Sequence, residues 1–265
     1  VITMPISGDG RFLLVDDAEL VRVDNGSRRS LRPAGVPATA DVFLARLNHD
    51  GSRAVGTLAT NDGNPPRPVL IDTATATFKA TLDGTAGFSS LRMDGAGRFV
   101  VWSADSNTVR RYDALTGLTD TISTNGSGQE SNGSDRFPQL SRDGNHLLWF
   151  SDATNLLAGP VSRVHRLYHK DLRNGRVTMV DEEVPCFCGN PQRQDDQINM
   201  GDGVAVNANG TRAAYVIRGA TGEPGDVHLR ARDLVDGSTV DLDPSAGVAR
   251  PGAGFPLLSA DGSVA

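Results

Sequence analysis

The chain has 265 residues, 38% of them hydrophobic, and a formal net charge of −6. That is length enough for a sizeable core, as one large all-β domain or two smaller ones. The mild acidity argues against nucleic acid or an anionic membrane as main partner, since both select a basic face, and no apolar run approaches the roughly 18 residues of a membrane span.

The opening residues carry no secretory signal, and the chain starts at Val1 rather than Met, as expected of a processed terminus or an excised segment. Of the 26 basic residues only Lys79 and Lys170 are lysine, a skew that fits a GC-rich coding genome better than any function. Related phrases then recur in chain order: "PISGDGRFLLV" at 5–15, "LNHDGSRAVGTL" at 47–58, "LRMDGAGRFVVWSAD" at 91–105, "LSRDGNHLLWFSD" at 140–152, "VNANGTRAAYVI" at 206–217 and "LLSADGSVA" at 257–265. Their turn glycines, Gly10, Gly51, Gly97, Gly144, Gly210 and Gly262, are spaced 41, 46, 47, 66 and 52 residues apart. A period of this size is that of a four-stranded propeller blade.

The turn chemistry is readable. Asp or Asn accepts hydrogen bonds from N–H groups ahead of it, and Gly supplies the positive φ that closes a tight hairpin. In the third repeat Ala96 stands before Gly97, so there the cap is expected to be absent. After each turn comes an apolar run ("FLLV", "FVVW", "LLWF", "AAYVI") without clean alternation, as in a strand covered on both faces. A loop, a third strand ("ELVRVDN", "RPVLIDTAT", "TVRRYDALTG", "VHRLYHKDLRNG", "VHLRARDLVDG"), a second turn rich in Asp, Thr, Asn and Gly, and a more polar fourth strand suited to an exposed rim complete the unit. No segment keeps a helical period. The expectation is an all-β chain: one β-propeller domain over 1–265 of four-stranded antiparallel blades, about six repeats with the last incomplete. The repeats lie near 1–40, 41–86, 87–134, 135–183, 204–247 and 254–265, with 184–203 as an insert between blades.

"PQLSRDGNHLLWFS" and "FPLLSADGSVA" resemble the WD40-like repeat of the TolB type, and "SDATNL" after the fourth repeat's apolar strand resembles a variant frequent in bacterial extracytoplasmic proteins of that type. The resemblance is sharpest over 138–156 and 256–262. It implies a propeller outside the cytoplasm, periplasmic, secreted or at the cell surface, related in repeat to the TolB scaffold, to propellers of prolyl-oligopeptidase-like peptidases and to some polysaccharide lyases.

Catalytic signatures are missing from the sequence. There is no G-x-S-x-G elbow, Walker loop or dinucleotide fingerprint. His165 and His169 are four apart on a predicted strand and share a face, but no further ligands for a metal are evident, and His49, His146 and His228 read as isolated. The insert "DEEVPCFCGNPQRQDDQINMGDG" at 181–203 brings Cys186 and Cys188 together, two residues apart. In an oxidising compartment they form a strained small-ring disulfide or remain free thiols. The insert's carboxylates do not follow the register of an EF-hand calcium loop. "STNGSGQESNGSD" at 123–135 reads as a flexible connector.

The function expected is therefore non-catalytic binding of a protein, peptide or glycan, with no cofactor, nucleic acid or membrane insertion. The alternative is the propeller of an enzyme, a polysaccharide lyase or glycosidase, or the accessory propeller of a peptidase whose catalytic domain lies elsewhere. Variable loops on a rigid ring carry binding. The loops between second and third strands, with the insert, nominate Asp62, Asp105, Asn107, Asp152, Asn155, Asp195, Asp196, Glu223 and Asp226 as the binding surface.

Overall fold

A computed structural model of the chain describes residues 6–15, 18–60, 62–86, 90–105, 107–159, 165–181, 204–218, 227–242 and 258–263. Cys186, Cys188 and the rest of the insert at 182–203 lie outside the described residues, as do Glu223 and Asp226. The chain forms two compact units, Val1–Thr121 and Ile122–Ala265.

The first unit holds three sheets. One is β1 (Phe12–Val15), β2 (Glu19–Arg22) and β3 (Arg28–Ser30), with Ile6 bridging to Leu13 where an innermost strand belongs. The next is β4 (Asp41–Leu47), β5 (Arg53–Ala59), β6 (Arg67–Asp72) and β7 (Thr77–Thr81). The third is β8 (Arg92–Met93), β9 (Phe99–Ala104), β10 (Thr108–Asp113) and β11 (Leu118–Thr121). The second unit holds β12 (Asp135–Leu140), β13 (His146–Ser151), β14 (Arg166–Asp171) and β15 (Val177–Asp181), then β16 (Val204–Val206), β17 (Arg212–Arg218), β18 (Val227–Asp233) and β19 (Thr239–Asp241). Every pairing is antiparallel between strands consecutive in sequence. Each of the first five repeats is thus one sheet, and the described residues contain no α-helix.

The absence of alternation in the second strands has the expected cause. All six residues of β13 are buried, and four of the seven in β5. One face of the fourth sheet, Leu148, Phe150 and Leu167, packs on Val204, Ala213 and Tyr215 of the fifth. Each large apolar side chain so buried stabilises the fold by about 2–3 kcal/mol. The outer strands β3, β11 and β19 are exposed or nearly so. β12 carries Pro138 within a β-bulge between Arg136 and Gln139, next to Phe137 at φ 54°. A bulge leaves a residue unpaired, so the missing proline N–H costs no ladder bond.

The Ser-x-Asp-Gly turn closes as a hydrogen-bonded unit. Gly144 N donates to Ser141 O (2.9 Å), and the Ser141 hydroxyl accepts from His146 N (3.0 Å) while donating to Asp143 Oδ1. Asp143 Oδ1 also accepts from Asn145 N. Ser7 and Asp9 repeat the arrangement, with Asn48 or Asn207 taking the Ser position elsewhere. The six turn glycines have φ between 68° and 75°. One expectation needs correction: the third turn does have a cap. Asp94, three residues before Gly97, accepts from Arg98 N (2.7 Å) and Phe99 N (2.9 Å), which makes an acidic residue before the glycine unnecessary.

Within each unit the turns lie side by side. Asp9 N donates to His49 O and His49 N to Gly95 O in the first unit; Asp143 N donates to Ala208 O and Ala208 N to Ala260 O in the second. The following turn's glycine sits over a side chain of the preceding sheet: Gly51 on Phe12, Gly97 on Arg53, Gly210 on His146, Gly262 on Arg212. Here glycine is required twice, for its φ and for the close approach.

The 123–135 connector departs from the expected flexibility. Its ends meet through Ser131 N to Ser123 O, and its tip through Asn125 N to Gln129 O and Gly128 N to Asn125 O. The buried Lys170 amine donates to Ile122 O (3.2 Å), Thr124 O (3.0 Å) and the Thr124 hydroxyl. Glycine and serine content does not make a loop mobile when buried donors tie it down.

Candidate functional site

The nominated residues fall into two groups. Asp62, Asp105 and Asn107 are exposed on loops between second and third strands. Asp62 accepts from the Thr60 hydroxyl (2.6 Å) and Asn64 N (3.1 Å), and these donors hold its carboxyl down at about 2. Asp105 has φ 50°, a conformation that Asp tolerates better than most residues. Its Oδ1 accepts from the Thr85 hydroxyl (2.8 Å).

Asp152 and Asn155 are half-buried and face the connector. Asp152 Oδ1 accepts from Ser134 N (2.6 Å), and Asn155 accepts from Asn132 N (3.0 Å) and donates to Glu130 O (2.8 Å). With Ala153 and Leu156 buried beside them, the "SDATNL" segment is a clasp on the connector. Asp195, Asp196, Glu223 and Asp226 lie outside the described residues.

Beneath the clasp is a buried carboxyl. Asp135 is fully buried; its Oδ1 accepts from the Ser131 hydroxyl (3.0 Å) and Trp149 Nε1 (3.3 Å). Its Oδ2 lacks a well-formed hydrogen bond, with the Ser151 and Ser123 hydroxyls beside the carboxyl. Burial outweighs these donors and raises the acid to about 6. This group was missed in the sequence because its Asp belongs to a Gly/Ser-rich run that reads as linker.

The histidines also rearrange the expectation. His169 pairs with His146, not with His165: the two rings stack at 5.3 Å with 15° between planes, and His146 Nδ1 lies 3.0 Å from His169 Nε2. Both are more than nine-tenths buried. The reason is register. Antiparallel pairing places Leu148 opposite His169, so His146, two residues earlier, shares its face as a diagonal neighbour. Burial holds both imidazoles below their usual range, His169 at about 4. The pair floors a cleft of about 380 Å³ between the fourth and fifth sheets, bounded by Arg173 and Arg176 on one side and Asn209 and Thr211 on the other. Among the described residues no group of three or more His, Cys, Asp or Glu is placed to hold a metal ion.

The repeat register, the antiparallel four-stranded sheets and their inter-sheet contacts define a β-propeller. The chain is similar in structure to TolB from Agrobacterium tumefaciens, with 12% identity and TM-score 0.54 over 90% of this chain and 79% of that one. It is also similar to an oligogalacturonate lyase in complex with manganese (15%, TM-score 0.58, 89% of this chain and 62% of that) and to the Kuenenia stuttgartiensis hydrazine synthase (14%, TM-score 0.56, 98% and 70%). At these identities the likeness is one of fold, that of a β-propeller. No family model matches the sequence, and no curated protein matches it either.

Proposed function

We propose that the chain is a non-catalytic binding propeller that works outside the cytoplasm and engages a protein, peptide or glycan through the rim carrying the loops between second and third strands. The observation that supports this reading is a contrast between the two ends of the sheets. At the hairpin end the turns are near copies of one another, built on the same Ser or Asn and Asp contacts and closed by glycines of nearly equal φ. At the other end the loops differ in length from sheet to sheet, from three residues between β9 and β10 to seven between β5 and β6, and Asp62, Asp105 and Asn107 stand exposed on them. Fold does not fix function, but a rigid scaffold with varied loops at one end is a common basis for recognition. The likeness to TolB supports the extracytoplasmic location.

The test is a triple variant, Asp62→Ala, Asp105→Ala and Asn107→Ala, compared with wild type for retention of a partner from a periplasmic or secreted fraction. The expected result is loss of that partner with a melting temperature close to wild type. Retention by the triple variant, with loss on altering Asp9, Asp50 and Asp143, would place recognition at the opposite end. Cleavage of a uronide polymer by the purified chain would replace binding with the enzymatic alternative.

A further inference from the structure

The cleft between the fourth and fifth sheets has a hydrogen-bond order that can be worked out. Arg173 Nη2 lies 3.3 Å from His146 Nε2. A guanidinium only donates, so Nε2 accepts and the His146 proton sits on Nδ1. Nδ1–H then donates to His169 Nε2 at 3.0 Å, which places the His169 proton on Nδ1, 3.4 Å from the Thr178 hydroxyl. One donor direction runs from Arg173 to Thr178, and both rings are neutral.

The charges around this chain are unevenly committed. Asp171 is held by Arg173 at 2.8 Å and by the Asn174 amide at 3.0 Å, and Asp143 by Ser141 and Asn145. Among the described residues of the fifth sheet, those that line the cleft are uncharged: Asn209, Gly210, Thr211, Leu234 and Val235. Arg176 lines the cleft, is exposed, and its guanidinium makes no hydrogen bond or ion pair with a described residue. The uncommitted charge in the cleft is therefore a cation. The lone pair nearest solvent is His146 Nε2, whose partner Arg173 is itself exposed; the lone pair of His169 is covered by His146.

We propose that this cleft binds a small oxyanion, a carboxylate or phosphoryl group, anchored by Arg176, and that His146 Nε2 takes up one proton from solvent as the anion enters. Protonation turns Nε2 from acceptor to donor. It releases the contact with Arg173, which keeps its two bonds to Asp171, and gives the anion a second cationic donor. An anion beside His146 offsets the burial that otherwise keeps the ring neutral. The cleft volume is at the small end of ligand sites.

The experiment is calorimetric titration of the full chain with dimethyl phosphate and, separately, with oxalate, both essentially fully ionised at pH 6. It is run at pH 6 in two buffers of different ionisation enthalpy, so that the proton taken up is the protein's own. The expected result is saturable binding of at least one anion with uptake of about one proton. Arg176→Gln, a surface change, should weaken binding about tenfold or more, as loss of a charge-assisted bond does. His146→Gln should abolish the proton uptake, and if that variant fails to fold, the wild-type uptake still decides the point. Dimethyl phosphate alone assigns a phosphoryl ligand and oxalate alone a carboxylate. Binding of neither anion, binding unchanged by Arg176→Gln, or binding without proton uptake would overturn the proposal.

Discussion

Replacing Asp135 by Asn tests the buried carboxyl beneath the connector. The side chain is fully buried, and its acid stands at about 6 against an ordinary 3.8. Two units of difference correspond to about 3 kcal/mol. The sign follows from proton binding. Between these values the folded chain holds the proton and the unfolded chain has released it, so the contribution is fully present below 3.8 and is lost as pH rises through 6. His169 acts oppositely in an overlapping window. Its folded value is about 4 against 6.5, so its contribution is present above 6.5 and is lost as pH falls through 4. Wild-type stability alone would blur the two. The informative quantity is the difference between wild type and Asp135→Asn, from urea denaturation followed by circular dichroism between pH 4 and 7.5. The amide keeps the shape and one acceptor, and neighbouring serine hydroxyls can turn to accept from its NH₂. Relative to wild type, the variant should gain about 3 kcal/mol as pH rises across the window. A difference that stays constant with pH would show that Asp135 is not a destabilised buried acid.

Other outcomes follow from the same geometry. Asn155→Ala, which removes one acceptor and one donor from the connector clasp, should cost about 1–3 kcal/mol in urea denaturation, and an unchanged midpoint would contradict the clasp. Gly210→Ala should destabilise clearly more than Gly10→Ala. Both have positive φ, but a Cβ at Gly210 would come within 2.1 Å of the His146 ring whereas nothing lies within 4 Å at Gly10; equal losses would disprove that contact. Lys170→Met should leave the Ile122 and Thr124 carbonyls without their buried donor, at a cost of about 3 kcal/mol. It should also open 123–131 to limited proteolysis, so a connector as resistant as wild type would count against the anchor.

The local parts of this protein were legible in the chain alone. Asp or Asn, Gly and the apolar run that follows are short-range signals. The hairpin at 141–146, the buried strand His146–Ser151 and the polar outer strand at 118–121 all follow from residues a few positions apart, and the period between turns sets one sheet per repeat. The rest depends on contacts between distant segments. His146 and His169 meet because antiparallel register makes them diagonal neighbours across 23 residues, a pairing that the spacing of His165 and His169 on one strand conceals. Asp152 and Asn155 read as free loop polars, yet their hydrogen bonds go to backbone 18 to 25 residues away. Asp135 looks like one more residue of a serine-rich linker, and becomes a buried acid only because β12 begins there and Trp149 and Lys170 draw the connector inward. Turn chemistry acts through the backbone next to a residue. Burial and charge act through whatever the fold brings alongside, and one-dimensional spacing does not carry that information.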